Sequence, residues 1–207
     1  MKNIIRAVAL VLTVAMLSVT AFAAPVRPSV EQRGVPIIVP VKDLTGAPII
    51  EIKDHTLNDK VVATAPYSDL EVVALGDISE ASESVNADMT KAFKSIVDAA
   101  DLTKLVPGLA KHAEDMGLAT PAEELVVRDL FYLGLPEELN KELDKAENVM
   151  YLKFHMGLNY EANEQLIVMV MNDAGEWVLV PTDGVALKGE NHEVRFDFVG
   201  PVAFIVG

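Results

Sequence analysis

The chain has 207 residues, of which 51% are hydrophobic, and its formal net charge at pH 7 is −14. This length fits one domain or two small ones, and the acidity argues against nucleic acid and anionic membrane surfaces as partners, because phosphate groups repel an acidic chain. The chain has no cysteine, which excludes a thiol nucleophile and a disulfide framework, so the fold has to depend on its hydrophobic core.

Residues 1–23 have the pattern of a secretory signal peptide. A basic start is followed by an apolar run over residues 7–19 and by Ala21-Phe22-Ala23, which matches the small-x-small cleavage pattern. The run is shorter than the ~20 residues that span a bilayer as a helix. We therefore expect a mature, secreted chain that begins at Ala24 and has no membrane contact after cleavage. Retention of the leader as an N-terminal anchor is the alternative.

Residues 24–76 form a β-rich region in the sequence pattern. Pro36 and Pro40 restrict its first strand to a sheet edge or an irregular strand, because proline cannot donate a ladder hydrogen bond. Short apolar runs separated by turn residues predict strands at about residues 35–41, 49–53, 60–64 and 70–75.

Residues 77–124 change to a helical period. Apolar residues recur three and four positions apart and predict a helix from about 79–84 to about 100. A second helix is expected to have Pro107 in its first turn and to end at Gly117. The capping-box sequence Thr120-Pro121-Ala122-Glu123 predicts one more helix start. We expect these helices to pack as an insertion or bridge between β-layers.

Residues 125–207 read as an antiparallel β module. Val126–Leu133 predicts a strand, residues 136–144 a short helix, and Leu166–Met171, which is apolar throughout, a strand covered on both faces. Asn172-Asp173-Ala174-Gly175 has the composition of a hairpin loop. Further strands are predicted at 151–156, 177–180, 193–198 and 202–206.

The combined pattern predicts an α+β fold. Antiparallel β-sandwich-like modules are expected on both sides of a helical segment at about residues 79–117. Whether the two β-rich halves form one sandwich or two stays open at this level.

The sequence predicts no catalytic residue, no cofactor site and no metal site. The four histidines lack helical metal-ligand spacing, and neither a G-x-S-x-G nucleophile turn nor a phosphate-binding loop occurs. His112 and His155 are expected at the surface. The acidic pairs Glu123-Glu124 and Glu137-Glu138 each follow a proline closely at a helix start, where carboxylates complement the helix dipole. Asn172-Asp173 suits a turn better than a calcium loop.

Aromatic side chains are the remaining candidates for ligand contact. Tyr132, Tyr151, Tyr160 and Trp177 could stack on a sugar or contact a protein. Trp177 directly follows a hairpin turn, where a core role is the more common outcome for so large an apolar ring.

Several segments of the C-terminal region resemble one family. Trp177-Val178-Leu179-Val180-Pro181, Glu193–Phe198, Gly200–Val206 and Leu125–Phe131 are similar to segments in uncharacterised secreted proteins of Gram-positive, often gut-dwelling, bacteria. The resemblance covers about residues 85–207. It implies an exported β-sandwich-like domain and carries over no active site.

Two functions from different classes follow. The first is a secreted, non-enzymatic module that binds an extracellular protein, a glycan or a cell-wall component, either free or at the cell surface. The second is a secreted hydrolase of unrecognised type. A deep pocket with converging carboxylates would favour the hydrolase, and a surface with exposed Tyr132, Tyr151 or Tyr160 would favour the binding module. A structural role through exposed strand edges is a third alternative.

Overall fold

The computed structural model describes residues 30–31, 35–155 and 165–206. The predicted signal peptide and Tyr160 lie outside these residues. In chain order the strands are β1 (Ile37–Val39), β2 (Val41–Lys42), β3 (Pro48–Asp54), β4 (Lys60–Pro66), β5 (Glu71–Ala74), β6 (Val126–Gly134), β7 (Asn148–His155), β8 (Leu166–Met171), β9 (Trp177–Leu179), β10 (Val185–Lys188), β11 (Asn191–Phe196) and β12 (Gly200–Val206). The helices are α1 (Glu83–Asp98), α2 (Leu102–Leu105), α3 (Leu109–Asp115) and α4 (Glu137–Leu143).

These strands form two antiparallel sheets. The seven-stranded sheet has the order β10-β11-β7-β3-β2, with β1 also paired to β7 and β4 to β3. The five-stranded sheet has the order β5-β6-β12-β8-β9. Each sheet contains strands from both β-rich halves of the sequence, so the halves form one sandwich. The predicted α+β class with antiparallel sheets is confirmed.

An aromatic cluster fills the space between the two sheets. Phe154 on β7 contacts Phe131 on β6, Phe196 on β11 and Phe204 on β12, with ring centroids 5.0–6.1 Å apart. The Phe154 and Phe204 rings meet edge to face at 82°, which suits the quadrupoles of the two rings. Each fully buried ring removes enough apolar surface from water to contribute about 1.5–3 kcal/mol, so this cluster joins the sheets.

A second core lies on the other face of the five-stranded sheet. Strand β8 is buried at every position, as predicted from its continuous apolar run. Leu166, Val168 and Val170 face the space between the sheets, whereas the alternate residues belong to the second core. Helix α1 covers that second face with its buried residues Val85, Met89, Ala92 and Ile96.

The expected position of the helices between the β-layers is wrong. Along the chain the helical segment does separate the β-rich halves, but in space α1, α2 and α3 lie on the outer face of the five-stranded sheet. The physical reason is in the strands. Strands β8 and β12 are apolar on both faces and need a second cover, whereas β7 and β11 alternate and leave one polar face for solvent.

At α3 the predicted helix end is confirmed and the predicted helix start is wrong. Gly117 ends α3 with φ +70°, its N–H bonds to the carbonyl of Glu114, and the N–H of Leu118 bonds to that of Ala113, which is the expected Schellman geometry. Pro107, however, lies outside α3, because Gly108 (φ +85°) turns the chain immediately before the helix.

The predicted capping box at Thr120–Glu123 is also wrong. Residues Ala122–Glu124 make a single 3₁₀ turn after Pro121, and no side chain caps it. Strand β6 begins at Val126, so the chain has no room for a longer helix. Within the described residues, no helix is both long and apolar enough to cross a membrane.

Candidate functional site

Trp177 is a core side chain. Only 5% of its surface is exposed, and its Nε1–H donates to Ser95 Oγ at 2.9 Å. The hydroxyl of Ser95 in turn donates to the carbonyl of Ala92 at 2.7 Å. This chain of hydrogen bonds ties β9 to α1, and the buried indole has no open face for a ligand.

Tyr151 lies on the outer face of the seven-stranded sheet, partly exposed and opposite Arg195 on β11. The Nζ of Lys53 is 5.9 Å from the centroid of its ring. Four ion pairs on this side of the sheet join Lys53 to Glu51 at 3.0 Å, Lys153 to Glu193 at 3.7 Å, Lys188 to Glu193 at 3.1 Å and Arg195 to Asp197 at 2.9 Å. The charged side chains in these ion pairs therefore already have partners within the protein.

Tyr132 lies in a cleft at one end of the sandwich. This first cleft has a volume of about 120 Å³ and is bordered by α1, by the loop between β8 and β9, and by the start of β12. A second cleft of about 320 Å³ adjoins it and shares Asn172, Asp173 and Val199 with it. We call the two together the hairpin groove. Its described lining residues are Asp88, Lys91, Tyr132, Asn140, Asp144, Met171, Asn172, Asp173, Ala174, Gly175, Phe198, Val199, Gly200 and Pro201.

The β8–β9 loop that forms the shared wall is held by its own hydrogen bonds. The backbone N–H of Asn172 donates to the carbonyl of Glu176 at 2.9 Å, and the side-chain Oδ1 of Asn172 accepts from the N–H of Glu176 at 2.9 Å. Gly175 has φ +81°, which favours glycine. A Cβ at position 175 would lie 1.9 Å from Lys91 Nζ, so the missing side chain also makes room for the ammonium group of Lys91.

The floor of the groove depends on a second glycine. Gly200 begins β12 with φ +148°, and a Cβ there would lie 2.7 Å from the carbonyl oxygen of Met171. This close approach brings the start of β12 against the end of β8, next to Tyr132 and Pro201, which are paired in the β6–β12 register.

The phenol of Tyr132 stays protonated in this environment. Burial raises its pKa above the ordinary value of 10.0, and the negative charges of Asp88, Glu71 and Asp173 raise the pKa further. The hydroxyl is thus a potential hydrogen-bond donor in a region of negative charge. Sequence reasoning identified Tyr132 as a candidate but missed Asp88, Lys91, Asn140 and Asp144.

Two histidines differ from the surface positions expected for them. His155 is half-buried, and its Nδ1 lies 3.3 Å from Asn191 Oδ1. His112 on α3 is also half-buried, and its Nε2 has no hydrogen-bond partner among the described residues. Burial lowers the pKa of His112 below its ordinary value of 6.5, against the opposing charge of Asp115. The pattern of polar and apolar residues on the short helix α3 does not show that His112 is half-buried.

Stability is expected to fall as the pH drops below about 6.5, because the unfolded chain then binds a proton at His112 that the folded chain resists. The depressed pKa values of Asp43, Asp54 and Asp101 act in a separate window, below their ordinary value of 3.8. Urea unfolding at pH 7 and pH 5 should show a smaller loss of unfolding free energy for His112→Gln than for the wild type. An equal loss in the wild type and in His112→Gln would contradict the role of His112.

No protein-family model, curated protein or solved structure matches this chain. The resemblance to secreted Gram-positive proteins therefore stays an expectation. Within residues 30–31, 35–155 and 165–206, no group of three or more histidine, aspartate or glutamate side chains is placed to hold a metal ion. The candidate site accordingly rests on the geometry of the hairpin groove alone.

Proposed function

We propose that this chain is an exported, non-enzymatic module that binds an extracellular protein, a glycan or a cell-wall component through the hairpin groove. The observation that carries this proposal is that two adjoining clefts share one wall, Asn172 and Asp173, and combine exposed carboxylates with amides and a partly buried tyrosine. Carboxylates, amides and an aromatic ring are the groups with which proteins bind polar organic ligands.

The groove is a better candidate than the outer face around Tyr151. Carboxylates and ammonium groups on that face are already paired with one another, and breaking surface ion pairs gives a ligand little net advantage. In the groove, by contrast, Asp88 and Lys91 have no ion-pair or hydrogen-bond partner within the described part of the chain. These groups can bind a ligand without losing an internal contact.

Binding is better supported than hydrolysis. Burial is one way in which a catalytic carboxylic acid holds its proton near neutral pH, and Asp88, Asp144 and Asp173 are all exposed. The cleft volumes, about 120 Å³ and 320 Å³, lie below or at the lower end of the ~300–1,000 Å³ of ordinary small-molecule sites. A groove of this kind suits one part of a larger partner.

Blocking the groove sterically tests the proposal. Ala174 is exposed and lines the larger cleft, so Ala174→Trp should weaken binding to a solubilised envelope fraction of the source organism at least about tenfold, a change that corresponds to ~1.4 kcal/mol. Ala110→Trp on the exposed side of α3, which lines neither cleft, is the matched control and should bind as the wild type does. Thermal unfolding followed by circular dichroism checks that both variants are folded.

The same samples separate the module from a hydrolase. If the protein released new reducing ends or peptide termini from the envelope fraction, and Asp88→Asn or Asp173→Asn abolished that release, the non-enzymatic proposal would be wrong. Equal binding by the wild type and both tryptophan variants would remove the groove as the binding surface.

A further inference from the structure

The imidazole of His112 is half-buried on α3. Its Nε2 atom is closed off from solvent and has no hydrogen-bond partner among the described residues. A neutral imidazole carries a proton on one ring nitrogen only, whereas an imidazolium has an N–H at both nitrogens, and each of these donors needs an acceptor. The site therefore accommodates a neutral ring whose Nε2 carries no proton, and it offers no acceptor once Nε2 is protonated.

The charges around His112 compensate for this only in part. The elements packed most closely against α3 are α2 and the 3₁₀ turn Ala122–Glu124. Burial lowers the pKa of His112, and among the charged groups on and around α3 only Asp115 opposes this shift. Both carboxylate oxygens of Asp115 already accept from Lys111 Nζ at 2.8 Å. The charged residues on α3, on these two elements and at the N-cap of α2 are Asp101, Lys104, Lys111, Glu114, Asp115, Glu123 and Glu124.

Helix α3 is held to the rest of the fold by few buried side chains. Of its seven residues only Leu109 and Ala113 are buried. Gly108 before the helix and Gly117 after it have φ of +85° and +70°, and glycine, which has no Cβ, tolerates backbone rotation at both ends. Segments with few buried apolar contacts open at a lower free energy than the whole domain. The helix can therefore leave the second core while the phenylalanine cluster still joins the two sheets.

We propose that α3 is an acid-sensitive element, which leaves the second core when His112 is protonated below about pH 6.5. In the open state the imidazole is solvated and binds the proton normally, whereas in the closed state it resists the proton. Each drop of one pH unit therefore favours opening by up to about tenfold. Above about pH 6.5 neither state binds the proton, and the helix stays closed.

Opening would expose Leu109, Ala113 and the part of the second core that they cover, which gives the protein an apolar surface only in acid. This inference does not depend on the proposed function, because no residue of α3 lines the hairpin groove. The windows of Asp43, Asp54 and Asp101 lie lower, since their pKa values are depressed below 3.8. Between pH 7 and pH 5 these carboxylates therefore stay charged in the folded chain.

Hydrogen–deuterium exchange of the full mature chain, followed by mass spectrometry at pH 7 and pH 5, tests the inference. Each rate is divided by the intrinsic rate of an unstructured peptide at the same pH. The protection of α3 peptides should fall at pH 5 by up to about 30-fold, the limit that one proton sets over about 1.5 pH units. Low urea should hardly change this exchange, because a local opening exposes little surface.

Two variants identify the group that responds to acid. His112→Gln keeps a polar side chain without a titrating ring, so its α3 protection should be the same at both pH values. The matched control Glu114→Gln, at an exposed position of the same helix, should show the wild-type fall. Exchange of β8 and β12 at pH 7 checks that each variant is folded.

Three results would overturn the inference. The first is α3 protection in the wild type that does not change between pH 7 and pH 5. The second is an undiminished fall in His112→Gln, which would assign the response to another group. The third is α3 protection that equals the protection of β12 and has the same urea dependence, because the helix would then open only when the whole domain unfolds.

Discussion

Replacing Phe154 with alanine is expected to lower the free energy of unfolding by about 3–5 kcal/mol. The ring is fully buried and contacts three other phenylalanines, two of them on the opposite sheet. Its removal leaves a cavity at the point where the sheets are joined, and the surrounding strands can relax only in part. Domains of this size have total stabilities of about 5–15 kcal/mol, so the variant should be close to unfolding.

Urea titration followed by fluorescence of Trp177, the single tryptophan of the chain, and by far-UV circular dichroism measures this loss. Phe93→Ala is the matched control, because Phe93 is 36% exposed on α1, and its loss should be clearly smaller. Equal losses for Phe93→Ala and Phe154→Ala would mean that the phenylalanine cluster does not hold the sheets together.

The second large effect is expected at Gly200. With φ at +148° and the carbonyl oxygen of Met171 only 2.7 Å from the position of a Cβ, alanine is strained in its backbone and collides with the main chain. Strain of this kind costs about 1–3 kcal/mol by itself, and the collision adds to it. Since the obstacle is backbone within a packed sheet, the end of β8 has to move, which would also deform the hairpin groove.

Gly200→Ala should therefore lose both stability and binding to the envelope fraction, under conditions where the variant is still folded. Gly76→Ala provides the comparison, because nothing lies within 4 Å of a Cβ at that position. The control should remain within about 0.5 kcal/mol of the wild type. If Gly200→Ala were as stable as Gly76→Ala, that result would contradict the close contact between Gly200 on β12 and Met171 on β8.

Strands with a strong pattern were predictable from the sequence. The continuous apolar run of β8 and the alternation in β7 and β11 follow directly from which faces are covered. Strand β10 was missed: its four residues, Val185–Lys188, are half-buried or exposed, so no burial pattern identifies it. Its place depends on pairing with β11, which is a tertiary property.

The sequence did not predict which face of which sheet the helices cover. An apolar stripe on α1 predicts that the helix covers something, and does not say which sheet. The same limit applies to the candidate site. Tyr132 was a candidate as an aromatic side chain, but Asp88 and Lys91 look like an ordinary exposed pair on a helix until Gly175, 84 positions further along, occupies the space beside the lysine. The groove forms only where α1, β6, the β8–β9 loop and β12 come together in the folded chain.

Hydroxyl-radical footprinting in the presence of solubilised envelope fragments tests the central claim most directly, because it compares the two candidate surfaces through their own aromatic side chains. We predict that Tyr132 and Phe198 in the hairpin groove become protected from oxidation, while Tyr151 on the outer face reacts as in the free protein. Protection of Tyr151 with Tyr132 and Phe198 unchanged would contradict the account.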